Sequence, residues 1–307
     1  MIRKTLLWLS GGILAVVIVF FIVISFRWNR RFDAPYPRIT ASTDTAVIAR
    51  GRYLAYGPAH CSDCHTAPAE YASLKLGTQP PLSGGGRFEI PPGTIEVPNI
   101  TADKETGIGM LSDSAVARVL RYGVRPDGRS AIPFMEYHEM SDADIAALIS
   151  FLRAQPPVHN LVPDSKLNLL GKTVMAFVIK PIGPTARPPA ESPAAAPTVE
   201  RGEYLANAVA NCAGCHSKRS MVTGAYTGPR LAGGSEMESS ANSAIKLTPP
   251  NITAGGKPSE WTEDQWVARF HAGERIAGSP MPWQAFRRIK DDDLRAIYRY
   301  LKTVHSS

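Results

Sequence analysis

The first 31 residues are dominated by one apolar run. It extends from Leu6 to Phe26, 21 residues without a charged side chain, and about 20 apolar residues are enough to cross a bilayer as a helix. The run is longer than the core of a cleavable signal peptide, and no small-residue cleavage pattern follows it. We therefore expect residues 1–31 to form an uncleaved signal anchor, followed by a polar tether over residues 32–40.

Beyond the tether, apolar positions recur at helical spacing, for example between Ile145 and Leu152. Polar capping residues such as Asp44 and Ser141 precede these stretches, and Gly123 or Pro156 ends them. The pattern predicts a mostly α fold. The predicted helices cover Thr45–Tyr56, Ser112 or Asp113 to Tyr122, Ser141 to just before Pro156, Glu200–Ala210, Thr262–His271 and Asp291–Val304.

All four cysteines lie in two copies of one motif, C-x-x-C-H, placed 151 residues apart. This motif attaches haem covalently: two thiols on one helical turn add to the vinyl groups of the porphyrin, and the adjacent histidine faces the iron. A thioredoxin-like pair would need a βαβ context, and a zinc site would need four convergent ligands. The sequence therefore predicts two haem c groups. The predicted attachment residues are Cys61, Cys64 and His65, and Cys212, Cys215 and His216.

The two motifs belong to a longer internal repeat. The segment from Arg50 to Leu54 matches Arg201 to Leu205, and a Pro-Asn-Ile-Thr loop occurs at residues 98–101 and 250–253. We interpret the chain as two homologous modules, residues 41–158 and 198–307, joined by residues 159–197. That connecting segment contains an apolar stretch, residues 167–179, which is too short to span a bilayer, followed by a proline-rich spacer.

Smaller features of the modules leave alternatives open. Gly51 and Gly202 either permit a close crossing of the first and last helices, against Phe151 and Tyr300, or are merely tolerated small residues. Asn99 and its counterpart either reach a haem propionate or form a turn. We expect His60 to be solvated and His271 to make a structural hydrogen bond.

The net charge of +7, from 34 Lys and Arg against 27 Asp and Glu, raises the possibility of a nucleic-acid partner. Several of the cations flank the apolar run instead. These are Arg3, Lys4, Arg27, Arg30 and Arg31. Because the motif and the anchor imply a compartment outside the cytoplasm, we expect no nucleic-acid partner. Placement in the bacterial inner membrane, with the modules in the periplasm, is the corresponding prediction for localisation.

With these motifs, residues 41–307 resemble the membrane-anchored dihaem c-type cytochromes with class I-like modules, such as the cytochrome subunits of bacterial periplasmic dehydrogenases. The resemblance implies two tandem cytochrome c-like helical modules and iron bound by His on one side and Met on the other. It places one Met ligand at Met281, before the last helix. The repeat aligns Ile132 with Met281, so the first module departs from the pattern, and Met135 is the nearest substitute. Met140, His138 and an open site are the alternatives.

The resemblance implies an electron carrier, in which both axial positions of iron are filled and no substrate is bound. Its partners would be a periplasmic dehydrogenase, a quinol-oxidising complex or a terminal oxidase, and substrate oxidation would belong to the partner. The alternative is a dihaem peroxidase-like enzyme, which needs one open iron site together with acid and base groups. His138 or Glu136 would supply those groups. The sequence shows no complete set of them, so we expect the chain not to be an enzyme in its own right.

Overall fold

The computed structural model describes residues 2–220 and 225–305, and the apolar run forms its first helix. This helix, α1, spans Ile2–Arg27, and its side chains are exposed along nearly all of its length. Among the described residues it is the one helix long and apolar enough to cross a membrane. Its 26 residues measure about 39 Å at about 1.5 Å per residue, which exceeds a hydrocarbon core of about 30 Å.

The rest of the chain is mostly helical, as the sequence predicts, and each half repeats a similar series of helices. The first half contains α2 (Thr45–Tyr56), α3 (Cys61–His65), α4 (Tyr71–Lys75), α5 (Asp113–Tyr122) and α6 (Asp142–Ala154). Helix α7 (Leu169–Phe177) belongs to the segment that connects the two halves along the chain. The second half contains α8 (Val199–Tyr204), α9 (Cys212–His216), α10 (Glu263–His271), α11 (Trp283–Phe286) and α12 (Asp291–Leu301).

The ends of several helices follow from capping side chains. The Ser112 hydroxyl accepts a hydrogen bond from the Ala115 N–H at 3.2 Å, and α5 ends at Gly123, which has a φ of +60°. Thr262 and Gln265 form a capping box at the start of α10. These side chains satisfy N–H groups that a helix leaves without partners, so the predicted ends of these helices are confirmed.

The first and last helices of each half cross closely because each crossing contains a glycine. A Cβ atom added at Gly51 would lie 1.8 Å from the Ala147 carbonyl oxygen, and one at Gly202 would lie 1.9 Å from that of Ala296. No other residue fits at such separations without moving a helix. The close-crossing interpretation is confirmed. Phe151 is a neighbour of Gly51, as expected, but the nearest neighbours of Gly202 are Ala296 and Ile297 instead of Tyr300.

The first helix of the second half differs from its prediction. The sequence predicts one helix over Glu200–Ala210, whereas α8 ends at Tyr204 and a π-helical turn follows over Leu205–Val209. Leu205 and Val209 are fully buried. A π turn widens the helix by one residue per turn, and apolar spacing alone does not register that change. The last helix is also shorter than predicted, since α12 ends at Leu301.

Small β-sheets supplement the helices. Strand β1 (Arg87–Ile90) pairs antiparallel with β2 (Gly93–Glu96), and β3 (Lys166–Leu167) pairs with the other edge of β2. In the second half, β4 (Met237–Glu238) pairs with β5 (Lys246–Leu247). None of these strands is predicted from the sequence, because segments of two to four residues show no measurable alternation of apolar and polar positions. Strand β3 ties the connecting segment to the first half.

The proline-rich part of the connecting segment is also held in place. The carbonyl groups of Pro189 and Ala190 accept hydrogen bonds from the N–H groups of Asp142 and Ala143, at 3.0 and 2.9 Å. Those N–H groups belong to the first turn of α6 and have no partner within the helix. The segment predicted to be a spacer therefore caps a helix of the first half.

A matched ion pair joins the first and last helices of each half. Arg50 contacts Asp144 at 2.8 Å in the first half, and Arg201 contacts Asp293 at 2.9 Å in the second. Arg201 is almost completely buried. A buried carboxylate needs donors for its remaining lone pairs, and a guanidinium supplies only some of them.

Each half completes the ion pair of the other half. The Tyr204 hydroxyl of the second half donates to Asp144 at 2.8 Å, and the Tyr53 hydroxyl of the first half donates to Asp293 at 2.6 Å. Tyr53 and Tyr204 occupy equivalent positions of the repeat. The halves therefore meet through a reciprocal contact with approximate twofold symmetry.

Candidate haem-binding sites

Both attachment motifs lie on a single helical turn. Helices α3 and α9 consist of the five motif residues themselves. The residue before each turn has a left-handed backbone, with φ of +42° at His60 and +47° at Asn211. Asn and His adopt this conformation more readily than most residues. In each half, this kink separates the motif turn from the preceding helix.

The two motif histidines are oriented by proline carbonyl groups. His65 Nδ1 lies 2.9 Å from the Pro98 oxygen, and His216 Nδ1 lies 2.8 Å from the Pro250 oxygen. Because a carbonyl group only accepts, Nδ1 carries the proton and Nε2 keeps its lone pair. Burial lowers the pKa of both imidazoles, despite the opposing effect of these hydrogen bonds. Both rings are thus neutral and present Nε2, the form that binds iron.

None of the four cysteines forms a disulfide bond, so all four are available for haem attachment. Before attachment, burial raises the pKa of Cys61 to about 12, that of Cys64 to about 11 and that of Cys212 to about 12, so these thiols are protonated at neutral pH. Within residues 2–220 and 225–305, no group of three or more His, Cys, Asp or Glu side chains is placed to hold a metal ion. The arrangement is two thiols and one neutral imidazole on a turn, which suits covalent haem and not a zinc site.

The second half also contains a buried donor without an acceptor. Trp266 is 3% exposed, and its Nε1 atom has no hydrogen-bond partner among the described residues. It lies in an aromatic cluster with Trp261, Phe270 and Tyr298. A buried indole N–H usually has an acceptor. This orphan donor fits a site that also receives a polar group such as a haem carboxylate.

In the first half, the loop that contains Met135 is held against the attachment turn. The buried Tyr137 donates its hydroxyl to the Ala59 carbonyl, two residues before Cys61. Buried Arg121 donates to the His138 carbonyl at 2.8 Å. Met135 itself is half-buried and packs against the core.

The alternative ligands of the first half are placed differently. Met140 is fully buried in the core, as is Ile289, its counterpart in the repeat. His138 is half-buried, and its Nε2 atom lies 4.0 Å from Glu139. Met140 therefore fills a packing position, while Met135 lies on the loop beside the motif.

In the second half, Met281 lies just before α11. It is half-buried and packs against the core, and its carbonyl accepts from the Trp283 N–H at 2.7 Å. Helix α11 packs against α3, the attachment turn of the first half. The Phe286 ring meets the His60 ring edge to face, with centroids 5.5 Å apart.

A second contact between the halves mirrors this arrangement. Glu136 directly follows Met135 and accepts two hydrogen bonds from Arg219, at 2.8 and 3.0 Å. Arg219 lies three residues after His216. Each methionine loop is therefore next to the attachment region of the other half.

The residues that form the contacts between the halves were not predicted from the sequence. The repeat of Arg50, Tyr53 and Asp144 as Arg201, Tyr204 and Asp293 was a visible signal, but it does not show which pairs lie within a half and which join the halves. For the contact between Glu136 and Arg219 the sequence contains no comparable signal, and Glu136 was considered only as an acid or base of the peroxidase-like alternative.

Of the remaining sequence predictions, the one for His60 is wrong, and those for His271 and for the two asparagine turns are confirmed. His60 is half-buried against Phe286, so the expectation that it is solvated is wrong. His271 makes structural hydrogen bonds to the Arg287 carbonyl and Asp291, as expected. Asn99 Oδ1 accepts from the N–H and hydroxyl of Thr101, so the turn interpretation is confirmed, and Asn251 does the same with Thr253.

The fold and the attachment turns define a class of mostly helical proteins that bind haem c covalently. Residues 199–305 match the cytochrome c family. Over 85% of its length the chain is 32% identical to the alcohol dehydrogenase (quinone), cytochrome c subunit, of Gluconobacter oxydans (strain 621H), of which it covers 55%. It is 29% identical to the gluconate 2-dehydrogenase cytochrome c subunit of Pantoea cypripedii, with 84% of the chain and 60% of the relative covered.

A third relative is similar in length. The chain is 29% identical to a diheme cytochrome c-type protein of Cereibacter sphaeroides, with 85% of the chain and 86% of the relative covered. The dehydrogenase subunits are longer, and the chain spans a little over half of each. Residues 199–305 therefore form a cytochrome c domain, which implies covalently bound haem c, and the chain as a whole is similar to cytochrome c subunits and to a diheme cytochrome c.

Proposed function

We propose that this cytochrome is a dihaem electron carrier, with one haem in each module and electron exchange between the two. The interleaved interface is the observation that carries the proposal. Helix α11, which follows Met281, packs against the first attachment turn, and Glu136, which follows Met135, pairs with Arg219 beyond the second. Two sites that share one interface are suited to transfer within the molecule.

The residues of each site have distinct roles in this proposal. Cys61 and Cys64 hold one haem, and Cys212 and Cys215 the other. His65 and His216 present neutral Nε2 atoms to iron, and Met135 and Met281 present the opposite ligands. Bound haem supplies a one-electron iron couple, and His and Met ligation together leave no position for substrate.

The peroxidase-like alternative has no support. It would need Glu136 or His138 as an acid or base beside an open iron. Glu136 is instead engaged by two nitrogens of Arg219, and the relatives include cytochrome subunits and a diheme cytochrome. Substrate oxidation is thus assigned to a partner.

A periplasmic dehydrogenase is the electron donor that we propose, because two relatives bear the names of dehydrogenase cytochrome subunits. A terminal oxidase or a quinol-oxidising complex is the proposed membrane partner. Helix α1 anchors the chain in the bacterial inner membrane, and the modules lie in the periplasm. The length, apolar composition and exposure of α1 support the anchoring.

Replacement of each methionine in the full-length holoprotein tests the ligand assignment. Met281→Ala and Met135→Ala should each open one of two haems to carbon monoxide after reduction, which difference spectra measure against total haem. Met110→Leu is the control, because Met110 is 74% exposed and should leave both haems closed. If Met135→Ala binds no carbon monoxide, Met135 is not a ligand. If carbon monoxide binds all of the haem in either variant, the chain has a single haem and the dihaem proposal fails.

A further inference from the structure

A second apolar element lies beside the anchor helix. The rings of Phe177 in α7 and Phe20 in α1 stack with centroids 6.1 Å apart. Near the other end of α7, the Lys172 ammonium lies 5.2 Å from the centre of the Trp28 ring. The Arg27 Nε atom also lies 3.5 Å from the Ala176 carbonyl oxygen, so the C-terminal end of α7 lies beside the last two turns of α1.

These contacts place the C-terminal end of α7 beside the end of the apolar run. Phe20 lies six residues before Phe26, the last residue of that run, which corresponds to about 9 Å along a helix. Because the Phe177 ring contacts both Phe20 and Arg27, it lies beside the last two turns of the apolar run. The 9-residue helix is too short to span a bilayer but long enough to lie within its interfacial layer.

One face of α7 is only partly covered by the described part of the chain, through the contact of Phe177 with α1. Leu169, Leu170 and Phe177 are 50%, 52% and 45% exposed. The opposite face is fixed to the first half, because a Cβ atom added at Gly171 would lie 2.1 Å from the Pro92 carbonyl oxygen and the Asn168 side chain donates to the Pro91 carbonyl at 2.8 Å. The apolar face is thus held outward beside the anchor helix.

Unpaired cations surround this face. The Arg27 guanidinium lies 5.7 Å from the centre of the Phe177 ring, and Arg30 donates to the Ile179 carbonyl at 3.1 Å. Within the described residues, neither these two arginines nor Lys172 forms an ion pair. Cations at the end of a membrane helix are attracted to anionic lipid headgroups while their stems remain in apolar surroundings.

We propose that residues 169–179 form an interfacial membrane element whose exposed apolar face is covered by lipid of the leaflet next to the first module. Arg27, Arg30 and Lys172 lie at the level of the lipid phosphates. Continuity with α1 is the argument for lipid as the occupant, so the inference rests on the proposed anchoring by α1. An anchor and an interfacial helix together fix the orientation of the first module at the membrane, which a single flexible tether would not.

Spin labels in the full-length holoprotein test this inference. Leu170→Cys, Leu161→Cys and Ile18→Cys each introduce one thiol for a nitroxide label, since haem attachment consumes the four native thiols. The proteins are reconstituted in vesicles of zwitterionic and anionic phospholipids. Power saturation then compares collisions with oxygen, which concentrates in lipid, and with a water-soluble nickel chelate. Leu161 is the matched control because it is 80% exposed and lies outside α7.

The label at position 170 should resemble the one at position 18, with an oxygen-to-nickel ratio several-fold above that at position 161. A ratio at position 170 equal to that at 161, with position 18 still in lipid, overturns the inference and leaves the anchor intact. Shielding of position 170 from both reagents overturns it as well, because protein then covers the face. A water-like ratio at position 18 rejects the anchor and the interfacial helix together.

Discussion

His60 shows how one residue before an attachment turn is set by its backbone. Its φ of +42° matches that of Asn211, the equivalent residue of the second half, and Asn is common in this conformation. The His60 imidazole, however, is half-buried against Phe286. Burial lowers the pKa of His60 from 6.5 to about 4, so the folded state favours the neutral ring.

Replacement of His60 by Asn should therefore reduce acid lability. A lowered folded pKa contributes stability above the unfolded value and loses it as pH falls, here between pH 6.5 and about 4. The loss is at most about 3.5 kcal/mol, at about 1.4 kcal/mol per pKa unit. Urea unfolding of the holoprotein at both ends of this range measures it. An equal loss of stability in His60→Asn and in the wild type would contradict the role of His60.

At the scale of the helices, the sequence was most informative where side-chain chemistry decides an end. Ser112, Gly123 and Thr262 mark helix ends that the structure confirms. The sequence was least informative where geometry depends on distant packing. The π turn at Leu205–Val209 follows from burial inside the second half, and strand β3 exists only because β2 lies beside it.

The glycine crossings give the clearest prediction at this scale. Gly51→Ala and Gly202→Ala should each destabilise the protein by about 1–3 kcal/mol or more, since overpacking forces backbone shifts. The reason is the separation of less than 2 Å between the added Cβ and a carbonyl oxygen. Gly255→Ala is the matched control, because nothing lies within 4 Å of its added Cβ. Thermal unfolding that does not distinguish Gly51→Ala from Gly255→Ala would show that the helices do not cross as described.

For the whole molecule, the internal repeat predicted two modules but not how they face each other. The equivalent residues Tyr53 and Tyr204 are visible in the sequence. Their exchange between halves is a tertiary fact, because each hydroxyl donates to the carboxylate of the opposite half. The same holds for the candidate haem ligands. The motif residues can be predicted from their spacing, whereas the placement of Met135 depends on tertiary contacts of Tyr137 and Arg121.

Loss of either exchanged hydroxyl should weaken the contact between the halves. Tyr53→Phe and Tyr204→Phe each leave a buried carboxylate short of one donor, which costs about 1–3 kcal/mol. In Tyr36→Phe the effect should be small, because Tyr36 is 55% exposed. Unfolding followed at several wavelengths should show one transition in the wild type and two in the double variant. A single transition at the wild-type midpoint in the double variant would mean that these bonds do not couple the halves.

The absorption spectrum of the reduced full-length holoprotein, before and after addition of carbon monoxide, tests the central claim most directly. His and Met at both irons leave no open coordination position. We therefore expect two low-spin haems per chain and a spectrum that carbon monoxide does not change. A carbon monoxide-bound fraction in the wild-type protein would contradict it, because an open iron is what an enzyme needs and an electron carrier does not.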